Sequence, residues 1–439
     1  MFTASIIAKA CGGRVFGNEN ALCLRVVTDS RTVEKGDLFI AICGENFDGN
    51  AFSAMAFEKG AAVCLLNREA EVPEGKAAVI VEDTGKALMA LAAYYREKMG
   101  TKILAVTGSV GKTTTKEMCA CALESIFCVH KTSGNFNNEI GMPLTLLKLK
   151  EEHKAAVIEM GMSNFGEIER LSGACKPDVA LITNIGMSHI ENLGSRENIL
   201  KAKLEILSGL KKGSAVIING DDELLKNADY GDFEVLTYGF SEGCVIKGEI
   251  LSDNEVLVEG EKIALSVSGE HNLLNACGAM AAAKAFGIDA KTAAKGIENF
   301  KTDNRRQSET KSEKGFCVIS DYYNASPQSV EAALSNLSKK EGRKIAVLGD
   351  MLELGAYSAE SHRKSGEMAI KYGVDILLLF GKESQETFEA AKDKIKAFHF
   401  DDKEKLCEYL ESILAEGDNV LIKGSRGMKM ETVYEKIMR

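Results

Sequence analysis

Residues 103–116, ILAVTGSVGKTTTK, decide how the chain is read. An apolar run, Ile103 to Val106, predicts a buried strand, and a glycine loop, Lys112, three threonines and a helix follow it. Backbone N–H groups of such a loop can cradle phosphate oxygens, and the positive end of the helix dipole adds to their pull. In that arrangement Gly108, Ser109, Val110, Gly111 and Thr114 form the cradle, Lys112 reaches the β- and γ-phosphates, and Thr113 offers its hydroxyl to a metal. The common phosphate loop has a glycine five residues before the second one. Here that place is Val106, so the loop reads G-x-x-G-K-T and is two residues short. A glycine-rich turn before an ordinary helix is the plain alternative. The order of strand, loop, Lys-Thr and helix favours nucleotide binding.

The chain has 439 residues, enough for two to four domains. Apolar and charged residues, at 45% and 27%, are in the range of a soluble globular protein. The net charge of −10, with no long Lys/Arg run, argues against a nucleic-acid surface and leaves room for a local basic pocket. Twelve cysteines are scattered without a C-x-x-C pair, so neither zinc nor dithiol redox chemistry is indicated. Cys64, Cys277 and Cys317 fall in apolar stretches, where cysteine acts as a small hydrophobe, as in a reducing cytoplasm. The opening MFTASIIAKACGG lacks the basic flank and apolar length of a signal peptide, and no run approaches a transmembrane span, so no membrane insertion is expected.

Three zones separate: 1–98, 99–304 and 305–439. In the first, Leu24–Val27, Leu38–Ile42, Val63–Leu66 and Ala78–Val81 read as strands of a covered sheet, with helices over Ala51–Lys59 and Thr84–Met99. In the second, Ala155–Ile158, Val179–Thr183, Ala215–Ile218 and Val235–Tyr238 follow the phosphate-loop strand with helices between most of them, predicting a mostly parallel sheet. Residues 244–268 alternate polar and apolar around turn residues, predicting a small antiparallel addition, and an Ala-rich helix, Asn272–Phe286, comes next. The third zone restarts the alternation with strands at Phe316–Ser320, Ile345–Leu348, Ile376–Phe380 and Val420–Ile422, as in a doubly wound, Rossmann-like domain. The expected class is therefore α/β, with three domains.

Ligands of open α/β sheets collect beyond the carboxyl ends of the strands, so the first polar residue after each apolar run matters. Glu159 ends one strand. A carboxylate there is costly unless paired or metal-bound, and it is either a Mg²⁺ ligand, or a cap of the next helix or a partner of an exposed lysine. His189 follows the next strand and is either structural or a ligand. Lys201 and Lys203 on the helix after it read as solvated. The loop TSGNFNNEIGMP (132–143), holding Asn135 and Asn138, is an ordinary turn or a substrate loop. Asn272 and Asn275 lie on one face of a helix N-terminus, to cap it or to read an adenine edge. In the third zone Asp321–Pro327, Gly349–Gly355 and Lys423–Arg426 each follow a strand on one sheet edge, which makes a binding surface.

Taken together, TDSR (28–31), GENFDG (44–49), TGSVGKTTTKE (107–117), GNFNNEIGMP (134–143), EMGM (159–162), ITNIGMSHIENLGS (182–195), KAKLEI (201–206), GEHNLLNA (269–276), DYYNASP (321–327), LGDMLELG (348–355) and KGSR (423–426) resemble the Mur ligases, the ATP-dependent amide-forming enzymes of peptidoglycan synthesis. The resemblance covers nearly the whole chain, and a TG-x-x-GKT loop is that family's own form. It implies ATP and Mg²⁺ as cofactors. It further implies that residues 1–98 bind a UDP-sugar, 99–304 bind ATP, and 305–439 bind the incoming amine. DYYNASP with LGDMLELG resembles the dipeptide-adding branch, whose substrates are UDP-N-acetylmuramoyl-tripeptide and D-alanyl-D-alanine. A branch that adds diaminopimelate carries Asp-Asn-Pro-Arg late in its last domain. The similar run here, Asp303-Asn304-Arg305-Arg306, lacks the proline and comes too early.

By the same resemblance, Lys112 and Thr113 bind phosphates and Mg²⁺, and Glu159, His189 and Lys203 hold metal, Lys203 as an N-carboxylated (carbamate) side chain, which reverses its reading as a solvated lysine. Asn272 and Asn275 read adenine. Arg306, or Arg305 if the match slips by one, and Asp321 contact phosphate and ribose. Ser30, Arg31 and Asp48 meet the UDP group, and Asn135, Asn138, Asn324 and Ser326 meet substrate. Asn50 departs from the family, which often has His there. A cytoplasmic monomer is expected.

Overall fold

The computed structural model describes residues 2–44, 46–302 and 306–439; Arg305 lies outside the described residues. The run from Ile103 to Val106 falls in the strand Lys102–Thr107, and all four of its residues are fully buried. Its parallel neighbours are Ala155–Glu159 on one side and Val179–Ile182 on the other. Strands covered on both faces have no polar side to show, which is why each reads as an unbroken apolar run.

The sheet continues from Val179–Ile182 through Ala215–Asn219 and Glu234–Gly239, all parallel, and ends on the other side at Val129–Lys131. Ile246–Ser252 adds to it in parallel, and Glu255–Val258 and Glu261–Ala264 follow antiparallel, so the expected small addition extends one nine-stranded sheet. The chain leaves Lys102–Thr107 between two strands that come later in sequence, one on each side. That reversal opens a crevice at the strand's carboxyl end.

Two further sheets flank this one in sequence. Arg14–Gly17, Ala77–Ile80, Val63–Leu66, Asp37–Ile40 and Arg25–Val27 make a five-stranded sheet, antiparallel only at its first pair. Ser308–Lys311, Cys317–Asp321, Asn419–Lys423, Lys344–Gly349, Ile376–Phe380 and Lys396–Phe400 make a six-stranded one with the same single antiparallel pair. The expected helix over 51–59 is broken: a 3₁₀ turn, Gly49–Phe52, precedes the helix Ser53–Glu58.

Packing holds the crevice in shape. The phosphate-loop helix Lys112–Glu124 buries Met118, Cys119, Ala122 and Leu123 against the helix Glu270–Ala285, whose inner face is Ala276, Ala279, Ala282 and Ala283. Alanine loses no rotamer freedom on burial and lets the two axes approach closely. A second apolar cluster joins Ile185, Ile190 and Leu193 of the central sheet's loops to Ala325, Val330, Met351 and Leu354 beyond it. Each fully buried Val, Leu, Ile or Met there is worth about 1.5–3 kcal/mol, so the third sheet's loop edge is pressed against the loop that follows Val179–Ile182. All twelve cysteines are unpaired. Among the described residues no helix is long and apolar enough to cross a membrane.

Candidate active site

The loop after Lys102–Thr107 turns at two glycines with positive φ, Gly108 (+148°) and Gly111 (+83°). Its missing length is made up from outside. Asn184 accepts from the Ser109 amide through its carbonyl (3.0 Å) and from the Val110 amide through Oδ1 (3.0 Å), and donates back from Nδ2 to the Val110 carbonyl (2.8 Å). Thr183 Oγ1 donates to the same carbonyl at 2.7 Å. The first helical amide to find an intrahelical acceptor is Thr115, bonded to Gly111 O at 2.8 Å. The amides of Lys112, Thr113 and Thr114 have no backbone acceptor among the described residues, the ordinary state of a helix N-terminus and the basis of anion binding. The Lys112 ammonium folds over the loop onto the carbonyls of Gly108 (2.8 Å) and Ser109 (3.2 Å). Burial lowers its pKa, opposed by the Glu159 charge and assisted by Arg306.

Glu159 ends its strand fully enclosed, and its partners explain how. Thr113 Oγ1 donates to Oε2 at 3.0 Å and Asn137 Nδ2 donates to Oε1 at 2.8 Å. The buried Lys116 ammonium stands 3.8 Å from Oε2 and donates to Thr132 O at 2.7 Å. A hydroxyl and a carboxylate side by side at the helix N-terminus are an oxygen donor set that suits Mg²⁺.

A cleft of about 730 Å³ runs from this point to the third sheet's loop edge. Asn272 and Asn275 line it near the start of their helix. Asn275 Oδ1 accepts from Thr115 Oγ1 at 3.0 Å, which ties the phosphate-loop helix to the proposed adenine end. Asn272 Nδ2 donates to Ser268 O (2.8 Å) and to Gln307 Oε1 (3.1 Å), and His271 shares that same Gln307 oxygen at 2.9 Å. Across the cleft, the Arg306 guanidinium lies 3.9 Å from the centre of the Tyr323 ring, with its buried Nε unpartnered by any described residue. Asp321, Asn324 and Ser326 line the same wall; Ser326 also caps the helix Pro327–Ser338.

Other expected residues sit elsewhere. Asn138 lines the cleft, and its Oδ1 accepts from the amides of Ile140 and Gly141, so it also fixes the turn that leads into the helix Gly141–Leu146. Asn135 lines a second cavity of about 320 Å³ behind Thr113. Ser30, Arg31 and Asp48 line neither cavity; Arg31 pairs with Asp29, and Asp48 accepts from Asn50 and Arg68. His189 lines the cleft with φ +63°, and its Nδ1 stands 2.6 Å from Glu353 Oε2. Lys203 is fully buried and lines neither cavity; burial, then the Lys112 charge, pushes its amine well below the ordinary lysine range. No group of three or more His, Cys, Asp and Glu is gathered for a metal among the described residues. Sequence reasoning gave no role to Asn137, Asn184, Gln307 or Glu353. Asn137 stands in the triple-asparagine loop and Asn184 directly after a strand, so both carried a signal; Gln307 and Glu353 carried none of their own.

With this geometry in view, relatives can be placed. Residues 25–96 match the Mur ligase family catalytic domain, 106–283 the Mur ligase middle domain, and 305–426 the Mur ligase glutamate ligase domain. The chain is 41% identical over 425 residues to the UDP-N-acetylmuramoyl-tripeptide–D-alanyl-D-alanine ligase of Bacillus subtilis (strain 168), covering 94% of this chain and 93% of that one. The Escherichia coli (strain K12) ligase of the same name is 34% identical over 427 residues, at 94% and 93% coverage. Among solved structures, a MurF from Acinetobacter baumannii superposes with a TM-score of 0.91 at 31% identity, covering 100% of this chain and 98% of that one. MurF ligase from Thermotoga maritima in complex with ADP superposes at 0.85 with 30% identity, covering 96% and 98%. In sequence, domain order and fold alike, the chain belongs to the Mur ligase family.

Proposed function

We propose that the chain joins D-alanyl-D-alanine to UDP-N-acetylmuramoyl-tripeptide at the expense of ATP, releasing ADP and phosphate, in the cytoplasmic phase of peptidoglycan synthesis. The observation that carries this is the shared cleft. A phosphate loop with Thr113 and Glu159 on one wall faces Arg306, Asp321 and the Asn324–Ser326 loop on the other, in a chain 41% identical to a ligase of that name. Residues 1–98 would hold the UDP-sugar, 99–304 the ATP and 305–439 the dipeptide, all on one monomer.

A carboxylate does not acylate an amine in water, because oxide is a poor leaving group. Phosphorylation to an acyl phosphate removes that obstacle. Two anions, the γ-phosphate and the tripeptide carboxylate, must then be held together. The free amides of residues 112–114 and the Lys112 ammonium oppose their repulsion and stabilise the charge that develops during transfer. Thr113 and Glu159 would hold Mg²⁺, with His189 and the Lys203 carbamate as further ligands; when bound, the ion neutralises phosphate charge. Carbamate formation needs a neutral amine, which the burial of Lys203 favours. The dipeptide amine then attacks the acyl carbon, and phosphate leaves from a tetrahedral intermediate. The apolar contact between the central loops and the third sheet excludes water that would otherwise hydrolyse the acyl phosphate.

Purified protein with Mg-ATP and UDP-N-acetylmuramoyl-tripeptide tests this through phosphate release. Release is expected with D-alanyl-D-alanine and not with diaminopimelate, lysine or glutamate. Release with one of those amines alone overturns it, and release with no amine dependence points to a nucleotide switch instead.

A further inference from the structure

Lys423 ends the strand Asn419–Lys423 directly opposite Asp321 on the neighbouring parallel strand. Its side chain is 2% exposed, although nothing in an apolar sheet calls for a lysine there. Its ammonium donates to Asp321 Oδ2 at 2.6 Å, to Asn324 O at 3.0 Å and to Asp321 O at 3.4 Å, so among the described residues its bonds go to one segment, residues 321–324. Two residues on, Ser425 fastens the neighbouring turns. Its Oγ accepts from the Leu352 amide at 2.8 Å and donates to Ala325 O at 3.5 Å, and its own amide donates to Asp350 O at 3.0 Å. Removing one member of such a largely buried pair is far more disruptive than a surface exchange, because the remaining charge loses its partner where little solvent reaches it.

Among the described residues the Asp321 carboxylate is held from one side only. Oδ2 is bonded to Lys423, while Oδ1 has no hydrogen bond from a described residue, and the 12%-exposed side chain opens on the cleft. A carboxylate fixed by one oxygen and open at the other is a directed acceptor for a hydroxyl. An unneutralised one in a cleft meant for a polyphosphate would repel its ligand.

We infer that Lys423 is a positioning residue that aims the free oxygen of Asp321 at the ribose hydroxyls of the nucleotide and cancels its charge. This rests on the proposed contact between Asp321 and ribose. Calorimetry of the full chain with ADP, 2′-deoxy-ADP and 3′-deoxy-ADP tests both. Wild type is expected to bind ADP about tenfold or more tighter than one of the deoxy forms, the scale of a hydrogen bond to a charged acceptor. Asp321→Asn should reduce that ratio. Lys423→Met should bring it to within about twofold while also weakening ADP, a change in ratio that a purely structural role would not produce. If Lys423→Met does not fold, Lys423→Gln is measured, and a ratio below wild type is expected. A wild-type ratio in whichever Lys423 variant folds overturns the inference. If wild type binds ADP without discrimination, the ribose contact and this inference both fall and the nucleotide site stands. If Asp321→Asn loses the ratio and the Lys423 variant keeps it, only the role of Lys423 falls.

Discussion

A methyl group added at Gly108 tests whether the short phosphate loop works as described. With φ at +148° this position suits glycine alone, and a Cβ built there lies 1.9 Å from Thr183 Oγ1, 3.0 Å from Thr183 Cβ and 3.1 Å from Thr183 N. Thr183 cannot step aside cheaply. It is buried, its amide donates to Thr107 O at 3.0 Å, and its hydroxyl holds Val110 O at 2.7 Å. Gly108→Ala therefore carries a backbone strain of about 1–3 kcal/mol and an overpacking term of about 1–3 kcal/mol. The sum is at least about 2 kcal/mol of folding stability, relieved only if the loop leaves the shape that cradles phosphate, and holding that shape against the relief costs up to roughly 30-fold in ADP affinity at 1.4 kcal/mol per decade. Adding Thr183→Ala removes the 1.9 Å contact but not the other two, and it loses the hydroxyl's bond to Val110 O, so binding is not expected to recover. Gly173 is the control. It lies exposed within the helix Glu167–Cys175, with no atom within 4 Å of a new Cβ. Gly173→Ala should stabilise by about 0.5–1 kcal/mol. Calorimetry with ADP and melting curves read both. Near-normal ADP affinity in Gly108→Ala, or a lowered melting temperature in Gly173→Ala, would refute the reasoning.

Three further outcomes are expected. Lys112→Ala and Lys203→Ala should each lose most turnover while circular dichroism shows a folded chain; near-normal turnover in Lys203→Ala removes the carbamate. Asp418→Asn breaks a carboxylate that is 4% exposed and accepts from Arg343 Nε at 2.8 Å and the Ala415 amide at 2.7 Å, so it should cost ~1.5–3 kcal/mol in urea melts. Burial holds the His130 and His271 imidazoles below their usual value of 6.5. Between the folded and unfolded values the unfolded chain binds more protons, so stability is lost as pH falls below about 6.5. His130→Gln should flatten that loss in melting curves taken from pH 7 to 5.

What was legible in the sequence follows from what burial does to composition. Val63–Leu66 and Ile376–Phe380 were expected at the bounds observed, because central strands covered on both faces must be apolar throughout. Arg14–Gly17, Val129–Lys131, Ser308–Lys311 and Lys396–Phe400 were not expected. Each lies at a sheet edge, carries charge as edge strands do, and so leaves no apolar run to read. The site divides the same way. Glu159, Asp321 and Lys423 stand at strand ends, where position alone marks them. The contact of His189 with Glu353 joins loops far apart in sequence, and no local pattern records it.

The two residues missing from the phosphate loop are themselves the best case of this. A full-length loop can close on its own backbone. This one takes its closure from Thr183 and Asn184, which grip Val110 from 73 and 74 residues away. The cradle therefore exists only when Val179–Ile182 is already paired beside Lys102–Thr107, so nucleotide binding and the order of the central sheet are one property. The same strand pairing brings the start of the His189 loop to the cleft. In this chain a motif that looks weakened by its shortness is bound to the strand that supplies the next part of the site, and changing Thr183 or Asn184 should weaken ADP binding as surely as changing the loop itself.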